Sequence, residues 1–380
     1  MKIIYVITGL STGGAETMLL KLLKNIDSTT FNPVVISLTT LGEIGPKIQS
    51  LNFPVYQLRM NPGLPSLIKF LKLINLIKKI KPDIVHTWMY HSDLLGGLAA
   101  KIAGTKRIIW GIRHSNISKR RNKFSRFATI KVCTILSYWL PLQILSCSNQ
   151  SKNIHIKSGY NRRKYFIIPN GFDLNTFAPN LNYRNIVRKE LNLETDIKLI
   201  GLIGRYDPQK NHYGFFEAAT CVLKNFPKVH FLLAGSGVNV ENQDIFKMIN
   251  KTGYPENFHL LGKRNDVNRL MASLNILVSS SWGESFPNVI GEAMASGIPC
   301  IVTDVGDSAK IVGDTGRVVM PGDMRNLAQN IIDFKIFDEV HVITDSIDIK
   351  NILDKYSISN FLSEKDHQTG TDRVAEYANN

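Results

Sequence analysis

At 380 residues the chain is longer than one hydrophobic core usually serves, and its 44% hydrophobic content is ample for two globular cores. Its four cysteines, Cys133, Cys147, Cys221 and Cys300, are scattered without a C-x-x-C pair. They exclude a disulfide framework and fit a reducing compartment. The net charge of +15 is unevenly spread: residues 1–178 carry 25 Lys and Arg against 6 Asp and Glu (+19), and residues 179–380 carry 21 against 25 (−4). One half is therefore expected to meet an anionic partner, for which nucleic acid and an anionic membrane surface both qualify.

The first residues, Met1 to Ile7, are too short for a signal-peptide core and read as a strand. Gly9 to Glu16 then form a Gly-rich loop before a helix at 15–24. This opening is Rossmann-like but lacks G-x-G-x-x-G and an acidic residue about twenty positions on, which argues against an NAD site. Gly13 and Gly14 would let a ligand approach the backbone, or simply make a tight turn. Strands are expected at 33–38 and 53–58, and a Leu/Ile-rich helix at 66–81 with Lys69, Lys72 and Lys79 on a shared face. A strand at 82–86 leads through Thr87 to Asp93 into a helix at 94–103, and a strand at 107–111 leads into Arg113-His114-Ser115. This alternation predicts a parallel, doubly wound sheet, with ligands at the C-terminal ends of its strands. His91 and His114 fall just past such ends and are candidates for a functional role; His86, inside its strand, reads as a core histidine.

The cluster Lys119, Arg120, Arg121, Lys123 and Arg126 precedes an apolar helix at 127–140. It is either a solvated helix start or a membrane-surface contact, with Phe124 and Phe127 able to dip into the interface. The longest uncharged run, Val132 to Ser151, carries Ser137, Pro141, Gln143, Ser146, Ser148 and Asn149, too polar a load for a membrane span. A strand at 143–148, a helix at 150–158 and an apolar strand halted by Pro169-Asn170-Gly171 close the first half.

The second half repeats the architecture. After a strand at 198–202 comes Gly204-Arg205-Tyr206-Asp207-Pro208-Gln209-Lys210. Arg205 and Lys210 on this strand-end loop can neutralise a diphosphate, the first as a bidentate fork and the second as a point charge. Strands at 230–234 and 258–262 follow. The strand 276–280 then leads through Gly283-Glu284-Ser285-Phe286-Pro287 into a helix at 288–295 ended by Gly297 and Pro299. The first turn of such a helix presents unpaired N–H groups and the positive end of its dipole, a seat for a phosphate. Glu284 and Glu292, eight residues and about two helical turns apart, bracket that seat; a carboxylate there can accept both hydrogen bonds of a ribose diol. The plain alternative is a helix-capping Glu284 and a solvated Glu292. Helices are expected at 331–342 and 349–356, and a frayed polar end from 366.

Gly-Gly-Ala-Glu at 13–16, Ile-Pro-Asn-Gly-Phe-Asp at 168–173, Gly-Arg-x-x-x-Gln-Lys at 204–210 and Glu-x-Phe-Pro-Asn-Val-x-Gly-Glu at 284–292 together resemble family 4 of the glycosyltransferases, over about residues 3–325. The resemblance implies the GT-B fold, two Rossmann-like, doubly wound parallel-sheet domains facing a central cleft. The expected division is 1–173 for an acceptor-binding domain and 174–350 for a nucleotide-sugar domain. A tail at 351–380 is expected to pack back on the first. It implies a retaining transferase of the type used in bacterial polysaccharide and lipopolysaccharide synthesis, with no metal and no cofactor; the absence of Asp-x-Asp agrees. By position, Arg205 and Lys210 resemble the diphosphate clamp, Glu292 the ribose carboxylate and Glu284 the donor-sugar contact. Ser285, Phe286, Pro287, Asn288 and Val289 resemble the diphosphate cradle, and Gly14 the glycine nearing the phosphates. His91 resembles the acceptor-side histidine, although where the family often shows His-x-His this chain has His86 and Trp88. The donor expected is a nucleotide-diphosphate sugar, with a UDP-sugar favoured. The acceptor expected is a lipid-linked or polysaccharide intermediate at the cytoplasmic face of the plasma membrane. The competing readings are a sugar-nucleotide epimerase or phosphorylase on the same fold, and a basic nucleic-acid-binding protein, for which no motif beyond charge is present.

Overall fold

The computed structural model describes residues 1–61, 66–115, 117, 124–334, 342–344, 346–355 and 360–363. They divide into two units: Met1–Gly171 with Gly283–Asn288 and Val305–Ser308, and Phe172–Trp282 with Val289–Asp304 and Ala309–Asn380.

The first unit runs β1 Lys2–Ile7, α1 Gly14–Lys24, β2 Asn32–Ser37, α2 Ile44–Gln49, β3 Val55–Gln57, α3 Leu67–Ile80, β4 Ile84–Trp88 and α4 Tyr90–Ile102. It continues with β5 Ile108–Ile112, α5 Phe124–Leu136, β6 Gln143–Ser146, α6 Asn149–Lys157 and β7 Tyr165–Ile167. Every pairing is parallel, in the order β3-β2-β1-β4-β5-β6-β7. Both faces of β1 are apolar, as a strand covered on two sides requires. Ile4 and Val6 join Val34, Ile36 and Val85 in a core under α3, α4 and α5, while Ile3, Tyr5 and Ile7 join Leu19, Leu23, Ile44 and Ile48 under α1 and α2.

The second unit runs α7 Leu181–Glu190, β8 Leu199–Ile203, α8 His212–Asn225, β9 His230–Ala234, α9 Gln243–Thr252, β10 Phe258–Leu260, α10 Val267–Ser273 and β11 Ile276–Ser279. After these come α11 Asn288–Ala295, β12 Cys300–Thr303, α12 Ser308–Val312, β13 Arg317–Val319 and α13 Met324–Asp333. Its sheet is again parallel, ordered β10-β9-β8-β11-β12-β13. The alternation along β8 divides in the same way. Ile200 and Leu202 face Phe215, Phe231 and Leu327, while Leu199 faces Val187, Leu270 and Ile290.

The element boundaries differ from expectation at two informative places. α4 begins at Tyr90 rather than 94, because Met89 takes φ 78° and turns the end of β4 directly into a helix. A residue with a side chain is rarely held in that conformation, so sequence propensity gives no sign of it. In the tail, Val342–Thr344 is a strand, β14, rather than the end of a helix; it pairs with β15, Asn360–Leu362, across α14, Ile347–Lys355. In each large sheet the chain reverses its winding once, between β1 and β4 and between β8 and β11. At such a switch point two loops diverge and leave a crevice at the strand ends.

Candidate functional site

In the second unit the switch point lies between the loop after β8 and the loop after β11, and the Arg205–Lys210 segment is the first of these. The loop is held at both ends. Gly204 N–H donates to Ala234 O (2.8 Å), and Tyr206 N–H donates to Ser236 O (2.8 Å). Gly235, at φ 155°, brings its Cα against the Gly204 carbonyl so closely that any Cβ there would collide with it. Asp207 accepts from Gln209 N–H (2.9 Å) and from Arg205 Nε (3.1 Å), so the carboxylate caps the turn Pro208–Lys210 and aligns the exposed Arg205. Burial alone would raise the Asp207 carboxyl; the Gln209 amide and the Arg205 guanidinium bring it below its usual value.

Asn211, buried and left-handed at φ 53°, caps α8 by accepting from Gly214 N–H (3.1 Å). Its amide donates across to Ser280 O (3.2 Å), and Ser280 Oγ donates to Lys210 O (3.1 Å). Trp282 N–H donates to Gln209 O (2.7 Å). These bonds fix the backbone of Lys210 beside β11. Lys210 and Val289, the second residue of α11, consequently line one small recess with Ser279, Ser280 and Ser281. The Lys210 alkyl chain lies over Gly204, within 3.5–3.8 Å of the position a Cβ would take.

α11 starts at Asn288, so Glu292 sits in its second turn, nearer the helix start than the spacing from Glu284 suggests. Phe172 fixes the helix position: its ring lies against Gly291, where a Cβ would collide with it. Glu284, Ser285, Phe286 and Pro287 form the loop before the helix. Under it runs Val305–Ser308, where Gly306 is left-handed at φ 63° and a Cβ would come within 2.8 Å of the Glu284 and Ser285 carbonyls. Asp307 N–H donates to Ser285 O (3.1 Å).

In the first unit, the segments that follow β1 and β4 at the switch lead to Gly14 and His91 and are tied together where Thr8 Oγ1 meets Ser92 Oγ at 3.1 Å. Gly14 is the exposed first residue of α1, and a Cβ there would meet no atom within 4 Å. His91 lies in the first turn of α4, half-buried; burial, and then Arg126, lower its proton affinity. His114 follows β5; its carbonyl accepts from Ser151 Oγ (2.9 Å) and lies 3.4 Å from the Tyr90 hydroxyl oxygen. The buried His155 holds this arrangement: Nδ1 donates to Ser151 O (2.7 Å), which leaves Nε2 to accept from Tyr90 OH (2.8 Å). His86 is a buried core ring between Tyr5 and Trp88, its pKa pushed down to about 3 by burial and the Arg113 charge. Trp88 is also buried, with the Arg113 guanidinium 4.0 Å from its ring centre.

Lys119, Arg120, Arg121 and Lys123 lie outside the described residues; Arg126 is on α5. The sequence reading missed Asp207, Asn211 and His155. A signal existed for the first two, since Asp-Pro and Asn are favoured at turn and helix caps; a buried histidine leaves none. Among the described residues, no group of three or more His, Cys, Asp or Glu is placed to hold a metal ion, and no helix is long and apolar enough to cross a membrane.

Two family models match the chain: Glycosyltransferase Family 4 over residues 12–176, and Glycosyl transferases group 1 over residues 197–334. The chain is 32% identical over 247 residues to the UDP-Gal:alpha-D-GlcNAc-diphosphoundecaprenol alpha-1,3-galactosyltransferase of Escherichia coli, a match that spans 63% of each chain. It is 25% identical over 315 residues to EpsF of Bacillus subtilis, named as a glycosyltransferase, covering 80% of this chain and 79% of that one. Among solved structures it resembles Anabaena HepE in complex with UDP, with a TM-score of 0.77 and 23% identity over 89% of this chain and 90% of that one. HepE has also been solved with UDP-glucose. The fold is therefore GT-B, and the chain belongs to glycosyltransferase family 4.

Proposed function

We propose that the chain transfers a sugar, with retention at the anomeric carbon and without a metal, from a nucleotide-diphosphate sugar to a lipid-linked or polysaccharide acceptor at the inner face of the plasma membrane. The observation that carries this reading is the switch point of the second unit, where the backbone of Lys210 is bonded to β11 beside the start of α11. In the step proposed, the bond from the sugar's anomeric carbon to the diphosphate oxygen breaks, and the diphosphate keeps the electron pair. An acceptor hydroxyl oxygen bonds to the same carbon as its O–H bond breaks, and the proton passes to the departing diphosphate oxygen. Charge grows on the leaving oxygen, so fixed cations and helix-start N–H groups lower the barrier without having to reorganise. Arg205 and Lys210 supply the cations; Asn288 and Val289, with Ser285 to Pro287 before them, supply the cradle. Glu292 holds the ribose, and Glu284 touches the donor sugar. Gly14 leaves its backbone open to the phosphates. His91, kept neutral at neutral pH by its surroundings, accepts a hydrogen bond from the acceptor side, with His114 as its neighbour candidate.

A UDP-sugar is the favoured donor, supported by the UDP-Gal named for the E. coli relative and by the UDP-glucose bound to HepE. The diphosphoundecaprenol in that relative's name supports a lipid-linked acceptor. The experiment is radiolabelled sugar transfer to a polyprenol-diphosphate-sugar, with and without EDTA. Arg205→Ala and Lys210→Ala are each expected to lose at least about a hundredfold in turnover, with an unchanged circular dichroism spectrum. Turnover near wild type in either variant removes the clamp, and loss of turnover in EDTA removes metal independence.

A further inference from the structure

α5 is apolar on two faces. Ile130, Cys133 and, past the helix, Leu140 point into the first core. On the outside, Val132 (43% exposed), Ile135 (60%), Tyr138 (51%), Trp139 (71%) and Leu142 (56%) follow one another at helical spacing and out along the turn after Leu136. A helix with one buried face normally shows charge on the other, so a second apolar face calls for a partner.

The surroundings say which partner. Between Asp93 and Asp173 the sequence holds fifteen Lys and Arg and no Asp or Glu. Of these, Lys131 is exposed one turn before Ile135, its ammonium 5.7 Å from the Phe127 ring centre. Lys164 donates to Tyr138 O (2.7 Å) and Pro141 O (2.8 Å), so the aromatic turn is pinned rather than loose. Trp139 packs near Tyr138, with ring centres 6.3 Å apart. A protein partner for so basic a surface would need acidic groups of its own. A bilayer with anionic headgroups offers both the charge and the acyl layer, and Trp and Tyr favour that boundary.

We propose that Val132, Ile135, Tyr138, Trp139 and Leu142 form a docking face by which this chain enters the interface of an anionic bilayer. The face follows the basic cluster at 119–126 in the sequence, and it gives the membrane side of the proposed function an insertion surface. The test uses the full chain and vesicles of phosphatidylcholine with or without phosphatidylglycerol, carrying brominated acyl chains. Wild-type tryptophan fluorescence is expected to be quenched only by the anionic vesicles. Trp139→Phe should keep binding and lose most of the quenching. Trp139→Ala combined with Leu142→Ser should weaken partitioning at least about tenfold, while the UDP-induced shift in Tm stays as in wild type. Wild-type-like partitioning by the double variant overturns the proposal. So does quenching that persists in Trp139→Phe, or a lipid-free dimer that the double variant dissociates. If UDP gives no shift but quenching behaves as stated, the donor reading fails and the docking face stands.

Discussion

A cation can act on a phosphate only if its backbone stays in place, and Asn211 is what holds Lys210 to β11. Its side chain makes one bond as a cap and one to the Ser280 carbonyl just past β11, both in a buried setting. Asn211→Ala is expected to cost about 1–2 kcal/mol of stability and to lower turnover; urea unfolding and the transfer assay read the two effects. Glu292→Ala is expected to weaken donor binding about tenfold with little change in stability, as measured by titration calorimetry. An unchanged affinity would remove the ribose role. The candidates Arg205, Lys210, Glu284 and Glu292 stand out in the sequence because their chemistry and spacing are local. The bonds that hold their backbone do not. Asp207 and Asn211 look like ordinary turn formers, and only the packing of β8 against β11 brings Ser280 within bonding distance of Asn211. Nothing local in the sequence shows that the Phe172 ring lies against Gly291.

At the scale of elements, α4 and α6 are joined through a titratable core. His155 is buried, and its pKa is pushed down from 6.5 to about 4 by burial. The folded chain therefore refuses a proton that the unfolded chain takes up. This group's contribution to stability is complete above pH 6.5 and is lost as the pH falls toward 4. By pH 5 the loss from His155 alone is about 2 kcal/mol. Urea midpoints at pH 7.5 and 5 should separate by less in His155→Gln than in wild type, although the variant is less stable at both. Periodicity gives the kinds of element and most boundaries, since buried strands such as Leu199–Ile203 read as apolar runs. It failed at α4 because the left-handed Met89 replaces the loop that composition suggested. It failed at Val342 because a three-residue strand has too few positions to show alternation.

At the scale of the molecule, the division of charge and the repeat of the αβ pattern made two parallel-sheet units legible. The order of strands within each was not, because periodicity is blind to which strand lies beside which. The charge imbalance carries its own prediction. Raising salt from low to physiological concentration should weaken anionic-vesicle binding several-fold, because exposed charges are screened, while binding to neutral vesicles stays weak throughout. Flotation across a salt series measures it, and a flat response would dissociate the positive charge from membrane attachment.

The reversal between β8 and β11 has a consequence for biosynthesis. β8 waits unpaired on one side while β9 and β10 are laid down on the other, and its second neighbour arrives about 75 residues later along the chain. Parallel pairing over such a separation is slow, since the intervening chain must be ordered first. A ribosome-bound fragment that stops before Ile276 can build β8, β9 and α8 but has nothing to bind Asn211 and Lys210 in place. The proposed grip on a nucleotide therefore cannot form until roughly three-quarters of the chain has been made.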